Sequence, residues 1–345
     1  MFFNSKIERK VTMQSIESAR KGACVVTFDV ARSLQMFHSR SIHVPAVSDP
    51  IFAELRKNLL ERMERAFPGF EICPIEKNDL RSKIWGSLGA WVNGHAVLVT
   101  CSEMAALNPD PHGLNLSINR LFDKNGKMLG YGPRPGYDYL SKQFDDLAMR
   151  IAGRPVVLAK EGAFKGNTCV YILDELGCRN VDVVVLVMGF CDVDARALIQ
   201  QKFRKEFVTL MLFDNLVEWI ADRDLIPFIP GCGRVMGEVS THSFMPVRTA
   251  NGFSCAFPYV LPFGLTEKWM SLGNGHASEL SISFMDYAIE LFARIDRENY
   301  RSITMGEILC DDPRVSIPVA VGDGIEIPAS SIGIVEYLQK MRKML

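Results

Sequence analysis

The sequence predicts an α/β protein with a parallel sheet flanked by helices, and two observations carry that prediction. Apolar runs without polar alternation, typical of strands covered on both faces, occur at residues 156–159 and again at residues 181–190. Between them, apolar side chains recur at helical spacing, at Cys169, Ile172, Leu173 and Leu176. Strand, helix and strand in this order predict a right-handed βαβ unit, whose two strands are parallel.

Length and composition predict more than one unit of structure. The chain has 345 residues, of which 48% are hydrophobic, so it exceeds a usual single domain and has enough apolar residues for a sizeable core. We expect an N-terminal arm over residues 1–20 and an α/β core over residues 21–238. Residues 239–345 consist of shorter segments, which predict an accessory α+β region.

Charge and cysteine usage narrow the class of partner. A formal net charge of −1 argues against an extended nucleic-acid or membrane surface, which needs a basic excess, and favours small polar ligands. A homo-oligomer is compatible with this composition. The nine cysteines are scattered without a CxxC pair, so we expect reduced thiols and no metal site. Early N-terminal charges and the lack of an apolar run of about 18 residues predict a soluble, cytoplasmic protein.

The first hundred residues supply several further elements. A strand is predicted over residues 24–30, and Asp49-Pro50 opens a helix with an apolar stripe that ends near Phe67. From residue 84 to residue 100 the composition predicts strands. The loop before the helix carries three basic side chains, which favour a polar surface connection over an anion site: His38, Arg40 and His43.

Cys101 follows a predicted strand and begins a predicted helix. Thiolate nucleophiles often occupy such a position, so a cysteine-dependent enzyme is one hypothesis for this chain. Its base would have to be one of the six histidines, whose distances from Cys101 the sequence does not give. A buried core thiol is the favoured interpretation, because free cysteines usually behave as small apolar residues.

Residues 108–138 are rich in glycine and proline and carry basic side chains. This composition permits a mobile basic segment with Lys124, Lys127 and Arg134, and it equally permits a solvated hairpin, which we favour slightly. Residues 138–151 then predict a helix that leads back to the strand at residues 156–159.

The turn after that strand has the composition of a phosphate loop. It comprises Gly162, Ala163, Phe164, Lys165, Gly166, Asn167 and Thr168. Thr168 is the predicted N-cap of the following helix, whose free backbone amides and partial positive charge suit an anion. Lys165 adds a full charge, and Glu161 is placed to accept hydrogen bonds from sugar hydroxyls. An ordinary βα turn with solvated charges remains the alternative.

Residues 156–190 resemble the phosphoribosyl-pyrophosphate signature of type I phosphoribosyltransferases: four apolar residues, two polar residues that are usually acidic, a short loop ending in Gly-x-Thr, a helix and an apolar strand. The resemblance implies that Glu161 and Lys165 are catalytic-site residues and that residues 162–168 hold the 5′-phosphate. It also implies Mg²⁺, bound through pyrophosphate. Residues 108–138 resemble the family's flexible basic loop in position and charge. Lys160 departs from the family, because it stands where the first acid of the pair usually lies.

The remaining sequence adds one substrate candidate and several structural elements. Asp192 and Asp194 favour a helix cap over a ligand site, and a long helix is predicted from Ala195 through Trp219. Arg234 follows two glycines, so it could bind a phosphate or carboxylate or stack on a base. Beyond it, the pattern predicts a helix over 278–295, a hairpin turning at Asp323-Gly324, and a last helix from residue 330.

These observations lead to one favoured function and one main alternative. The resemblance implies a protein that binds phosphoribosyl pyrophosphate or a nucleotide and transfers the sugar phosphate to or from a nitrogenous base. The alternative is a nucleotide-sensing or regulatory protein with the same pocket and no reaction, which the Lys160 substitution favours.

Overall fold

The computed structural model describes residues 17–20, 22–92, 96–101, 114–240, 243–272, 275–322 and 328–345. The strands are β1 (Glu17–Arg20), β2 (Ala23–Phe28), β3 (Glu71–Glu76), β4 (Val97–Cys101), β5 (Leu114–Leu116), β6 (Ile118–Phe122), β7 (Met128–Pro133), β8 (Val156–Ala163), β9 (Val183–Asp192), β10 (Glu206–Phe213), β11 (Leu216–Ala221), β12 (Arg234–Val239), β13 (Phe244–Pro246), β14 (Cys255–Phe257) and β15 (Ile317–Pro318).

The α-helices are α1 (Val30–Leu34), α2 (Pro50–Ala66), α3 (Lys77–Val92), α4 (Leu140–Ile151), α5 (Asn167–Cys178), α6 (Val193–Lys202), α7 (Thr266–Trp269), α8 (His276–Glu298), α9 (Met305–Ile308) and α10 (Ile334–Arg342). Two 3₁₀ helices cover Gln35–Arg40 and Asp222–Leu225. The hairpin turn expected at Asp323-Gly324 lies outside the described residues.

The first sheet is parallel throughout and confirms the predicted fold class. Its strand order is β1-β10-β9-β8-β4-β5, and each neighbouring pair runs parallel. Strands β8 and β9 are joined by α5, as the apolar pattern predicts, and Leu158 pairs with Leu186 in their register. Both faces are covered. Apolar residues of α4, α5 and α6 pack on one face, and α3 packs on the other.

A second parallel sheet, with the order β11-β2-β3, lies on the α3 side of the first. Alternate residues of β2 point in opposite directions, as strand geometry requires. Val25 therefore packs toward the first sheet, while Val26 joins a separate apolar cluster with α2 and α8. The two sheets thus share an interior in which their carboxyl ends come close together, as the ion pairs between them show.

A third sheet combines parallel and antiparallel pairs. Its order is β15-β14-β12-β6-β7, with β13 also paired to β12. Strands β13, β14 and β15 come from the region beyond residue 238, and they join β6 and β7 through β12. Helices α8 and α10 cover this part of the molecule, and their apolar residues belong to one cluster with those of β2 and α2.

The strands predicted between residues 84 and 100 are wrong over most of that range. Helix α3 extends to Val92, and β4 is the one expected strand that the described residues of this range show. Leu80, Ile84 and Leu88 are all buried, so every fourth residue faces the sheets. Trp85 and Trp91 suggested a strand because aromatic residues favour strands, but the helical repeat of buried leucine and isoleucine prevails.

The long helix expected from Ala195 through Trp219 is also wrong. Helix α6 ends at Lys202, and the rest of that segment forms β10 and β11, which belong to different sheets. Residues 207–213 are almost all apolar, a pattern that fits a strand as well as a helix. Pairing of β10 with β9 and of β11 with β2 satisfies their backbone groups and decides the structure.

Several other elements confirm the sequence patterns. Asp49 caps α2, and its side chain accepts a hydrogen bond from the Ile51 amide at 3.0 Å. Helices α4, α8 and α10 lie close to their expected positions.

In the part of the chain that the structure describes, no helix is both long and apolar enough to span a membrane.

Candidate functional site

Three neighbouring strands of the first sheet end in polar or reactive side chains. Strands β4, β8 and β9 are adjacent and parallel, so their carboxyl ends meet at one edge. Cys101 ends β4, Lys160 and Glu161 lie near the end of β8, and Asp192 ends β9. Ligands of open α/β sheets commonly bind at this edge, which makes it the candidate site.

The turn between β8 and α5 is shorter than the sequence indicates. Gly162 and Ala163 belong to β8 and are buried, so they do not line the turn. A Cβ atom on Gly162 would lie 2.4 Å from the Phe190 ring, and this close packing is why a glycine stands there. The predicted phosphate loop therefore reduces to residues 164–168.

The N-cap of the helix lies two residues before the predicted one. Gly166, with φ of 75°, is the N-cap of α5, and Thr168 already lies in the first turn. A substituent at Gly166 would be strained by this φ and would place Cβ 3.0 Å from the Ala195 carbonyl oxygen. The glycine thus fits the turn tightly against α6, and replacing it by valine would disturb the fold as well as any bound anion.

The N-terminus of α5 has the features of an anion site. The Gly166 carbonyl accepts from the amides of Cys169 and Val170, so the amides of Asn167 and Thr168 precede the first hydrogen bonds of the helix. Among the described residues, no side chain caps α5, and its first turn has no acidic residue. Lys165 is exposed, with its ammonium 5.9 Å from the centre of the Phe164 ring.

Glu161 is buried beside a charged cluster that the second sheet supplies. Its carboxylate lies 3.6 Å from the Lys77 ammonium, which lies 2.8 Å from a carboxylate oxygen of Asp29. Arg223 also forms an ion pair with that oxygen of Asp29. The side chains of Asp29, Lys77 and Glu161 are each exposed by 6% or less, so water screens these charges little.

Asp222 completes the cluster in a different ionisation state. Its carboxyl oxygens accept hydrogen bonds from the amides of Asp29 and Val30 at 3.0 and 3.4 Å. Burial nevertheless raises the pKa of Asp222 to about 8, although hydrogen bonds from the Val30 and Arg223 amides and the charge of Lys77 lower it. The group therefore carries little charge at neutral pH.

Sequence reasoning missed four residues of this cluster, although a usable signal was present. Asp29 directly follows β2, Lys77 directly follows β3, and Asp222 and Arg223 directly follow β11. For Asp29 the signal is the one that pointed to Glu161, a polar residue at the end of an apolar run. The signal is weaker for the other three residues, because β3 contains Glu71 and Glu76 and β11 contains Glu218. The sequence could not show that two sheets bring these strand ends together.

Lys160 faces the opposite side of β8, where thiols replace carboxylates. Its ammonium lies 3.6 Å from the Cys101 sulfur, and both side chains are buried. Burial raises the pKa of Cys169 to about 12, although the charge of Lys160 lowers it. The pKa of Cys191 is also raised to about 12, chiefly by burial. This face therefore holds Lys160 together with the neutral thiols of Cys169 and Cys191.

In its described part, residues 114–138, the basic segment contains a hairpin, while residues 108–113 lie outside the described residues. Lys124 and Lys127 lie at the turn between β6 and β7, where the Asp123 side chain accepts from the amides of Asn125 and Lys127 at 2.9 and 2.8 Å. Arg134 follows β7 and is half-buried. These residues belong with the third sheet, whereas the β8–α5 turn belongs to the first.

Arg234 is enclosed by aromatic rings of its own chain. Its guanidinium carbon lies 4.6 Å from the ring centres of both Phe122 and Trp269 and 5.1 Å from that of Tyr259. Its Nε donates to the Tyr259 hydroxyl at 3.1 Å. The sequence allowed Arg234 to bind a phosphate or carboxylate or to stack on a base, and in the structure its guanidinium stacks on rings of its own chain. Nearby, burial raises the pKa of Glu218 to about 7, while Arg234 and Arg120 lower it.

The two other polar groups that the sequence singled out have structural roles. Asp192 accepts from the amides of Asp194 and Leu216, both at 2.8 Å, so it caps α6 and joins it to β11, as the capping interpretation predicts. His38, Arg40 and His43 are exposed on a surface connection.

Among the described residues, no group of three or more histidine, cysteine or acidic side chains could hold a metal ion.

Comparison with known proteins adds little to this geometry. No protein-family model matches the chain, and no curated protein matches it. Among solved structures, the chain is similar to the crystal structure of TT1426 from Thermus thermophilus, with 15% identity and a TM-score of 0.26. The match covers 39% of this chain and 83% of that one. A likeness at this level carries no conclusion about function.

Proposed function

We propose that this protein binds phosphoribosyl pyrophosphate or a nucleotide at the carboxyl edge of the first sheet. The observation that carries the proposal is the N-terminus of α5, which no described side chain caps and which closely follows the strand that bears Glu161. The 5′-phosphate would bind the amides of Asn167 and Thr168, with Lys165 adding an exposed positive charge. Glu161 would accept hydrogen bonds from the ribose hydroxyls, as the resemblance to type I phosphoribosyltransferases implies.

The favoured reaction is transfer of the sugar phosphate to or from a nitrogenous base. Positive charge develops on the sugar as pyrophosphate leaves, so a protein catalyses this step mainly by positioning the reactants and stabilising charge. A binding protein without the reaction remains the second candidate. Two observations favour it: Lys160 points toward a thiol, and Glu161 is already ion-paired with Lys77.

One substitution at the helix N-terminus separates a phosphate site from a plain turn. Asn167→Asp adds a negative charge at an exposed position of the first helical turn. The charge should stabilise α5 by about 0.3–1 kcal/mol, because it complements the helix dipole. It should also weaken binding of ribose 5-phosphate about five- to tenfold by repulsion. Calorimetric titration and urea unfolding measure the two effects, which have opposite signs.

Ser141→Asp is the matched control for that substitution. Ser141 is exposed in the first turn of α4, which also lacks an acidic residue there. The control should give the same small stabilisation and leave affinity for ribose 5-phosphate unchanged. If Asn167→Asp binds ribose 5-phosphate as the native protein does, the phosphate proposal is wrong.

Transfer and sensing are then distinguished by one assay on the native protein. Incubation with phosphoribosyl pyrophosphate and a set of purine and pyrimidine bases should release pyrophosphate if the protein is a transferase. Tight binding without pyrophosphate release would select the nucleotide sensor instead.

A further inference from the structure

The resemblance implies Mg²⁺, and the charges at this strand end allow a test of whether the residues fit it. Lys160 supplies an ammonium where the family usually has an acid, and its side chain faces Cys101. The remaining acid, Glu161, lies 3.6 Å from Lys77. The carboxylate oxygens that could contact or orient a hydrated Mg²⁺ here therefore already face an ammonium. The residues do not fit the ion.

The charge balance of the buried cluster leads to the same conclusion. Lys77 and Arg223 are cations, Asp29 and Glu161 are anions, and Asp222 is mostly neutral because burial raises its pKa to about 8. Among these five described groups, positive and negative charges are equal in number. A divalent cation held by these residues alone would add two uncompensated charges to a site that water screens poorly.

The position of Lys77 shows that the carboxylates hold it in place. It is the first residue of α3, and the partial positive charge of a helix N-terminus disfavours a cation there. Its side chain is also only 6% exposed, which disfavours a charged lysine further. Attraction to Asp29 and Glu161 offsets both costs, so the ammonium is fixed between two carboxylates from different sheets.

We propose that the Lys77 ammonium takes the place of a divalent cation beside Glu161, so that the ribose 5-phosphate part of the ligand binds without Mg²⁺ held by the protein. The proposal rests on the proposed function for its ligand, but the role of Lys77 can be measured without one. With Lys77 replaced by an apolar side chain, two buried carboxylates would face a single arginine, and the site would gain affinity for a divalent cation.

Two measurements on purified protein test this proposal. Calorimetric titration of the native protein with ribose 5-phosphate should give the same affinity, within about twofold, in EDTA and in excess Mg²⁺. Ribose 5-phosphate is the suitable probe because it lacks the pyrophosphate that chelates Mg²⁺ independently of the protein. In the absence of ligand, Mg²⁺ should raise the thermal midpoint of Lys77→Met and leave that of the native protein unchanged.

Lys83→Met is the matched control, since Lys83 is an exposed lysine on the same helix. It should show no Mg²⁺ response. A ligand affinity of the native protein that depends on Mg²⁺, or a Lys77→Met midpoint that ignores Mg²⁺, would overturn the proposal. If Lys77→Met does not fold, the native protein still tests the proposal. A rise in the thermal unfolding midpoint of the native protein in Mg²⁺, absent from Glu161→Gln, would overturn the proposal.

Failure of the ligand proposal is recognised separately. If ribose 5-phosphate binds in neither buffer, the proposed function is wrong, and the midpoint of Lys77→Met in Mg²⁺ still decides the role of Lys77.

Discussion

The two faces of β8 place the neighbouring residues Lys160 and Glu161 in different environments. Lys160 points toward Cys101 and a set of neutral thiols, whereas Glu161 points toward the charged cluster of Asp29, Lys77 and Arg223. Successive side chains of a strand face opposite sides, so two adjacent polar residues rarely share one environment. Two adjacent polar residues of a sequence motif therefore do not necessarily belong to the same site.

The two faces also differ in how their polar groups are stabilised. On the Glu161 side, buried carboxylates and cations balance each other across two sheets. On the Lys160 side, burial keeps Cys169 and Cys191 protonated, so the thiols pack as small apolar groups. Substitutions on the Glu161 side should therefore change the free energy of unfolding strongly. The Lys160 side is better tested by the reactivity of its thiols.

The largest effect is expected from Asp29→Asn, which breaks the ion pairs of the charged face. Lys77 and Arg223 would keep their buried charges with one carboxylate fewer, so the free energy of unfolding should fall by about 3–5 kcal/mol. Urea unfolding measures the change. Asp138→Asn is the control, because it removes an exposed ion pair with Lys142. It should cost less than about 0.5 kcal/mol. Equal losses for the two variants would show that burial does not strengthen the cluster.

A smaller effect is expected from the ionisation of Asp222 on the same face. The folded protein keeps its proton up to about pH 8, while the unfolded chain releases it near the ordinary carboxyl range. Between the ordinary carboxyl range and about pH 8, the unfolded state therefore binds fewer protons than the folded state. The free energy of unfolding falls as pH rises through this range. The decline from about pH 5 to about pH 7 should be about 2–3 kcal/mol from this group.

Asp222→Asn should remove that part of the pH dependence. The decisive quantity is the difference in unfolding free energy between the native protein and the variant, measured by urea unfolding across the pH range. Glu218→Gln serves as a comparison, because Glu218 has a separate raised pKa of about 7 and its variant should keep the Asp222 contribution. A constant difference between native and Asp222→Asn proteins would show that Asp222 is ionised throughout.

The smallest effect on stability, and the sharpest test of the thiol face, comes from chemical labelling. Cys178 is exposed, whereas Cys101 is 1% exposed and both Cys169 and Cys191 are buried. A thiol reagent near neutral pH should therefore label Cys178 first, and Cys178→Ser should lose the fast phase while keeping native stability. If Cys101 reacts as fast as Cys178, the hypothesis of a cysteine nucleophile gains support over that of a core thiol.

Local pattern was enough for the βαβ unit and for most of the helices. The apolar run of β8, the helical repeat of α5 and the apolar run of β9 each bury the residues that the sequence marks as apolar. The same is true of α2 and α8, whose apolar stripes recur every three to four residues. These elements were predictable because their burial follows directly from the period of their own side chains.

Tertiary structure decided the segments whose pattern fits more than one element. Residues 207–213 are apolar enough for a helix or a strand, and pairing with β9 makes them β10. Gly162 looked like a loop glycine, but the Phe190 ring occupies the space beside it and keeps it in β8. In both cases the deciding contacts come from residues distant in sequence, which a local pattern does not contain.

The candidate site divides in the same way. The sequence by itself determined Glu161, Lys165 and the glycine at position 166, because a strand end, a short turn and a helix start are local features. Only the tertiary structure brought Asp29, Lys77 and Asp222 into one cluster with Glu161, since these residues directly follow strands of a second sheet. Charge attraction acts through space, so the partners of a buried carboxylate are set by how sheets pack and not by the order of residues along the chain.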